Sequence, residues 1–166
     1  MEILFYIAAA VAILATARVV THLHAVHALL YLVVSLIALA LIFYLLGAPF
    51  AAALEIIIYA GAIMVLFVFV VMLLNQGPLT LNQERSWLTS QMWWGPGALA
   101  LILSGEVAFI ILSADVPTAE IAVISPKQVS ISLYGPYAIA VELASLLLLP
   151  GLIGAFHLGR RHMERR

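Results

Sequence analysis

Five runs of roughly 20 residues pass along this chain with almost no charge inside them, and they narrow the possible folds more than any other feature. Wound as an α-helix, a run of that length matches the roughly 30 Å hydrocarbon core of a bilayer. The runs are 3–20, 28–46, 51–74, 92–112 and 137–156. In lipid every backbone N–H and C=O must be paired within the segment, which favours helices over open strands. The expected fold is therefore all-α and integral to a membrane, with five transmembrane helices. A soluble alternative fails on composition. Of 166 residues, 66% are hydrophobic and only 9% charged, more apolar surface than a domain of this size can hide. No internal repeat or low-complexity linker interrupts the pattern, so residues 1–166 read as a single membrane domain.

Other function classes drop out on charge and chemistry. A net charge of −1 offers nothing to nucleic acid. The absence of cysteine excludes disulfides, cysteine-ligated zinc and all-cysteine iron–sulfur clusters in this chain. The sequence has no nucleotide-binding loop, no nucleophile paired with a base and no glycine-rich phosphate cradle, so no catalytic residue is expected. Met1 to Ala17 is apolar apart from Glu2 near its start, and Arg18 follows it. A signal peptide has the reverse order, so the first helix is expected to stay.

The connections and the cations suggest how the helices are arranged. Gly47, Ala48 and Pro49 make a tight turn that should leave helices two and three antiparallel. The longer stretch Asn75 to Gln91 carries Glu84, Arg85 and Trp87. The stretch Ser113 to Pro136 carries Asp115, Pro117, Glu120, Pro126 and Lys127, and its Val-, Ile- and Ser-rich middle suits a membrane surface. In a five-span arrangement Arg18, Arg85, Arg160, Arg161, Arg165 and Arg166 fall on one side and Lys127 alone on the other. Cations concentrate on the cytoplasmic side, which puts the N-terminus outside (periplasmic) and the C-terminus in the cytoplasm. Trp87, Trp93 and Trp94 then sit where helix four enters, as interfacial anchors do.

Three acids lie inside the spans: Glu55, Glu106 and Glu142. A charge at membrane depth costs at least ~2.5 kcal/mol, so such residues face protein or water and often mark ion or proton routes. Glu55 is about one turn into helix three and Glu142 one to two turns into helix five, both counted from the outer side. They could therefore share a depth, and neighbouring carboxylates suit proton exchange. The plainer reading makes both residues contacts to neighbouring subunits. Glu106 follows Ser104 and Gly105 and reads as a polar contact between helices.

Helix three holds Tyr59-Ala60-Gly61-Ala62. Three small residues in a row let another backbone approach closely, and the same run lowers the resistance to a bulge of the π type, which would rotate everything after it relative to Glu55. Plain packing and a bulge are both open on the residues alone. His22, His24 and His27 form a loose cluster without an acid or cysteine nearby, and neither a metal site nor a haem between His27 and His157 is expected. Pro150 should kink helix five or free a carbonyl.

The run from Ala53-Leu54-Glu55-Ile56-Ile57-Ile58-Tyr59 through Ala60-Gly61-Ala62-Ile63-Met64-Val65-Leu66-Phe67 to Leu74-Asn75 resembles the J-subunit family of bacterial NADH:quinone oxidoreductase, respiratory complex I. The likeness continues in Met1-Glu2, in His27-Ala28-Leu29-Leu30-Tyr31, and in Gly135-Pro136-Tyr137 followed by Val141-Glu142-Leu143-Ala144-Ser145, so it covers nearly the whole chain. Ala25, Glu106 and Pro150 depart from the family pattern.

The resemblance implies a multi-pass, non-redox subunit in the membrane arm of a proton-pumping translocase of the bacterial inner (plasma) membrane. Its partners would be the other membrane-arm subunits and the lipid bilayer. No cofactor is expected in this chain: flavin and iron–sulfur clusters lie in partner subunits, and quinone is bound nearby. It also implies a helix three that can hold a π-bulge around Tyr59, Gly61 and Val65, with Glu55, Tyr59 and Glu142 on the proton path or its coupling. Two alternatives stand beside it. One is a subunit of a related cation/proton antiporter or membrane-bound hydrogenase, and the other is a purely structural scaffold.

Overall fold

The computed structural model describes residues 2–22, 25–74, 93–113 and 123–163. The stretch Asn75 to Gln91 with Glu84, Arg85 and Trp87 lies outside the described residues, as do His24, Asp115, Pro117, Glu120, Arg165 and Arg166. All regular structure among the described residues is helical: α1 (Glu2–Thr21), α2 (Ala25–Leu45), α3 (Pro49–Leu54), a π-helical stretch (Glu55–Ile63), α4 (Met64–Leu74), α5 (Trp94–Leu112), α6 (Pro126–Tyr134) and α7 (Ala138–Met163). Among them are five helices long and apolar enough to cross a membrane: Glu2–Thr21, Ala25–Leu45, Pro49–Val71, Trp94–Leu112 and Ala138–Leu158. By internal contacts the chain divides into two compact units, Met1–Val123 and Ile124–Arg166.

The first unit is built on an antiparallel pair. Ala8, Val11 and Ala15 of α1 recur at three- and four-residue steps, as do Val34, Ala38, Leu41 and Leu45 of α2, and each set forms one buried stripe. Leu103 of α5 joins the same core, with Leu99 and Ile110 packed against it. The alanines let the two backbones approach, which is how helices associate where lipid is as apolar as leucine. The pair is also fastened by hydroxyls. Thr16 Oγ1 and Ser35 Oγ lie 2.7 Å apart, and Thr16 Oγ1 donates to the Ala12 carbonyl at 2.8 Å. Ser35, a polar residue inside the second apolar run, turns its hydroxyl toward α1.

The turn from α2 into the third span is tight for a backbone reason. Gly47 has φ +82°, the left-handed region that favours glycine. The Ala48 amide donates to the Phe43 carbonyl at 2.9 Å and the Gly47 amide to the Tyr44 carbonyl at 3.1 Å. This pair of bonds is a Schellman closure of α2. Pro49 opens α3 in its first turn, where a missing N–H costs nothing. Helices two and three are thus an antiparallel hairpin, as the sequence predicts.

In the second unit, Ser125 caps α6. Its hydroxyl accepts from the Gln128 amide at 3.3 Å, and its own amide donates to Gln128 Oε1 at 2.8 Å, which satisfies two otherwise orphaned N–H groups. This short helix occupies part of the stretch expected along the membrane surface. α7 then runs unbroken through Pro150 to Met163, beyond the expected end at Phe156. Its large apolar side chains, Leu143 and Leu146 to Leu149 among them, stand exposed. A helix apolar all round needs lipid or other protein around it.

Candidate functional site

The third span changes its winding where the sequence is least ordinary. The Glu55 amide donates to the carbonyls of Ala51 and Ala52, the first of these an α-type bond. Nine residues later the Met64 amide donates to the Tyr59 carbonyl, five residues back, and to that of Gly61. Between them Glu55–Ile63 is π-helical, a form that is rare beyond a single turn and tends to occur at functional sites. Gly61 sits near its end. A Cβ placed there would stand 3.2 Å from the Ile56 carbonyl oxygen, five residues back, closer than side-chain carbons ordinarily come. The small residue therefore fits the wide turn itself, in addition to leaving a surface notch.

The wide turn decides which side chains face inward. Ala52, Glu55 and Met64 are the buried residues between Pro49 and Val71. In an uninterrupted α-helix, at about 100° per residue, Met64 would point roughly 120° away from Ala52. One extra residue in the turn brings it back to within roughly 20°. The π stretch thus lets Glu55 and Met64 be buried on one side of a helix whose other side chains are largely exposed. Glu55 is 8% exposed, while Tyr59, four residues on, is 51% exposed.

The family resemblance implies a bulge between Tyr59 and Val65. The wide stretch instead begins at Glu55 and closes at Ile63, so Tyr59 and Gly61 lie in it while Val65 stands exposed in α4. Two buried residues, Glu55 and Met64, bracket the wide stretch, and the small residues permit it without fixing its limits.

The other acids are placed differently. Glu142 lies exposed on α7 in the second unit, beside Ser145, whose hydroxyl donates to the Val141 carbonyl at 3.0 Å. Glu106 lies on the inward face of α5 between Leu103 and Ile110. It is 6% exposed, and neither carboxyl oxygen has a hydrogen-bond partner among the described residues. The polar contact between helices expected of it is a burial in an apolar contact.

Sequence reasoning overlooked a ring stack. His22, just past α1, stacks on His27 of α2 with ring centroids 4.9 Å apart and planes 17° from parallel. It also stacks on Tyr31 at 5.8 Å and 27°. His27 and Tyr31 are one turn apart on the same helix, a spacing that puts both on one face and could have signalled the cluster. Among the described residues no three His, Asp or Glu side chains converge as metal ligands.

Comparison with known proteins agrees with this architecture. Residues 15–158 match the family described as NADH-ubiquinone/plastoquinone oxidoreductase chain 6. The chain is 58% identical to NADH-quinone oxidoreductase subunit J of Pseudomonas aeruginosa, over 99% of this chain and 100% of that one. It is 56% identical to the protein of the same name from Escherichia coli K12, over 96% of this chain and 87% of the relative. A third subunit J, from Buchnera aphidicola of Schizaphis graminum, is 44% identical over 96% of this chain and 98% of its own length. With the family match spanning most of the chain and relatives aligned from end to end, the chain belongs to the subunit J (chain 6) family of NADH-quinone oxidoreductase, a multi-pass membrane family.

Proposed function

We propose that the chain is a membrane-arm subunit that helps couple quinone reduction to proton translocation, through a third helix that switches between π and α winding. The observation that carries this reading is the π stretch with Glu55 buried at its start in an otherwise exposed helix. Collapse of the wide turn would rotate everything after it by about 100°, so that Ile63 takes the inward place held by Met64. Glu55 would stay fixed while the surface above it changes from one apolar residue to another in a new position. Tyr59, half-exposed within the stretch, supplies a hydroxyl that moves with the turn and so gates access to Glu55. Gly61 permits the change. Glu142 takes part in proton movement as well.

In this reading the chain holds no redox centre of its own. Flavin and iron–sulfur clusters belong to partner subunits, and quinone binds elsewhere in the assembly. The arginine-bearing ends face the cytoplasm and the N-terminus the periplasm, in a bacterial inner membrane. The test is a mild-detergent pull-down from native membranes through a tag on this chain, assayed for flavin and for NADH:quinone activity. Both are expected to co-purify. Recovery with antiporter-like partners and no flavin would overturn the reading in favour of an antiporter or hydrogenase subunit.

A further inference from the structure

α5 is held to the α1–α2 pair along one narrow stripe. Leu99, Leu103, Glu106 and Ile110 follow one another at four-, three- and four-residue steps, which puts them on one face of the helix. Leu103 and Glu106 are buried there, and Leu99 and Ile110 pack against the same core. A groove runs along each flank of the stripe. One, of about 360 Å³, lies between Val34 and Ile37 of α2 and Ala100 and Ser104 of α5. The other, of about 410 Å³, lies between Tyr6 and Ala10 of α1 and Leu99 and Ile102 of α5. Either has room for several water molecules. α5 can therefore part from the pair at the cost of a single row of contacts.

One member of that row works against it. A carboxyl, with or without its proton, carries two oxygens that hydrogen-bond in water, and burying them without partners costs free energy. Both oxygens of Glu106 are buried and unpartnered among the described residues. The contact is thus closed at a penalty that water reaching the carboxyl removes. The way in is short. Glu106 stands only six residues before Leu112, where α5 ends, or about 9 Å along the helix. α5 starts beside the start of α2, with Gly95 against Tyr31, and so ends where α1 begins. Tyr6, within the first two turns of α1, lines the groove near that end.

We propose that the contact of α5 with the α1–α2 pair is a hydratable site: α5 parts from the pair and closes on it again, and when parted it admits water that the Glu106 carboxyl holds. Wetted, Glu106 is a second carboxyl in exchange with solvent, on a different helix from Glu55. The site requires nothing of the third span and stands or falls independently of the π-to-α switch.

The test is hydroxyl-radical footprinting of the assembled complex in its native membranes. Radicals formed by X-ray radiolysis of water oxidise the side chains beside it, so a buried leucine is marked only where water arrives. Leu103 and Ile110 are expected to be oxidised in the wild type. In Glu106→Leu, which removes the hydrogen-bonding oxygens, the yield at both is expected to fall about fivefold or more. Glu106→Gln, which keeps the size and two polar atoms, is expected to retain it. Absence of oxidation at Leu103 and Ile110 in the wild type overturns the proposal without any variant. An undiminished yield in Glu106→Leu overturns it as well, and so does loss of the yield in Glu106→Gln. Should Glu106→Leu fail to assemble, Glu106→Met is expected to give the same fall, and an undiminished yield there has the same consequence.

Discussion

At the scale of single residues, three positions carry distinct expectations. At Gly61 an added side chain would press on the Ile56 carbonyl oxygen, so a β-branched residue there should force the helix into one winding. Gly61→Val is expected to leave the complex assembled and to slow turnover by roughly tenfold, about 1.4 kcal/mol on the coupled step; normal quinone reduction and pumping in that variant would remove the switch from the mechanism. Glu55→Gln keeps size and burial and loses only the ionisable group. A partial loss of coupling is expected, measured as protons moved per NADH oxidised, whereas loss of assembly would make Glu55 a structural residue. Glu106 is the opposite case. Its carboxyl is buried without a partner among the described residues, and an apolar side chain of similar volume relieves such a group of its desolvation. Glu106→Leu is expected to raise the temperature at which the complex loses this subunit on native gels. A lower temperature would show that the carboxyl has a polar partner.

At the scale of elements, the third span combines a part that could be read in the sequence with one that could not. Its existence follows from an apolar run of membrane length, and its antiparallel packing on α2 from Gly47 and Pro49. The small residues Ala60, Gly61 and Ala62 signal that the winding can widen. They do not say where, because an amide choosing between the carbonyls four and five residues back is offered the same chemistry by both. The wide stretch runs between two residues that the unit buries, Glu55 and Met64. Helix ends show the same division. Hydropathy marks where lipid ends, while hydrogen bonding marks where the helix ends. α2 accordingly begins at Ala25 and takes His27 into its first turn, and α7 continues to Met163. The switch predicts a measurable exchange of faces: in Met64→Cys the thiol should be shielded from maleimide at rest and become reactive during turnover, while Ile63→Cys should show the reverse. Unchanged labelling of both in the working enzyme would mean that the helix does not rewind.

At the scale of the whole molecule, the architecture and the family were legible because lipid allows so few solutions to backbone pairing, and because the run around Tyr59 is long and distinctive. The His22–His27–Tyr31 stack was not, since histidines read along the sequence suggest metal ligands and only three-dimensional proximity turns them into stacked rings. Orientation rests on the arginines, and it is open to a direct check. A protease site added before Met1 should be cut from the periplasm of intact cells, and one added after Arg166 only in inverted vesicles; the reverse pattern would turn the whole arrangement over, including the side from which Glu55 is reached.

The Gly47 turn has a mechanical consequence. With only Leu46, Gly47 and Ala48 between two helices, and every one of their amides hydrogen-bonded back into α2, the near end of the third span is clamped like one end of a torsion bar. It has no slack in which to slide or spin as a rigid rod. Any twist introduced at the π stretch must then be delivered to α4, so whatever packs against Met64–Leu74 receives the angular stroke.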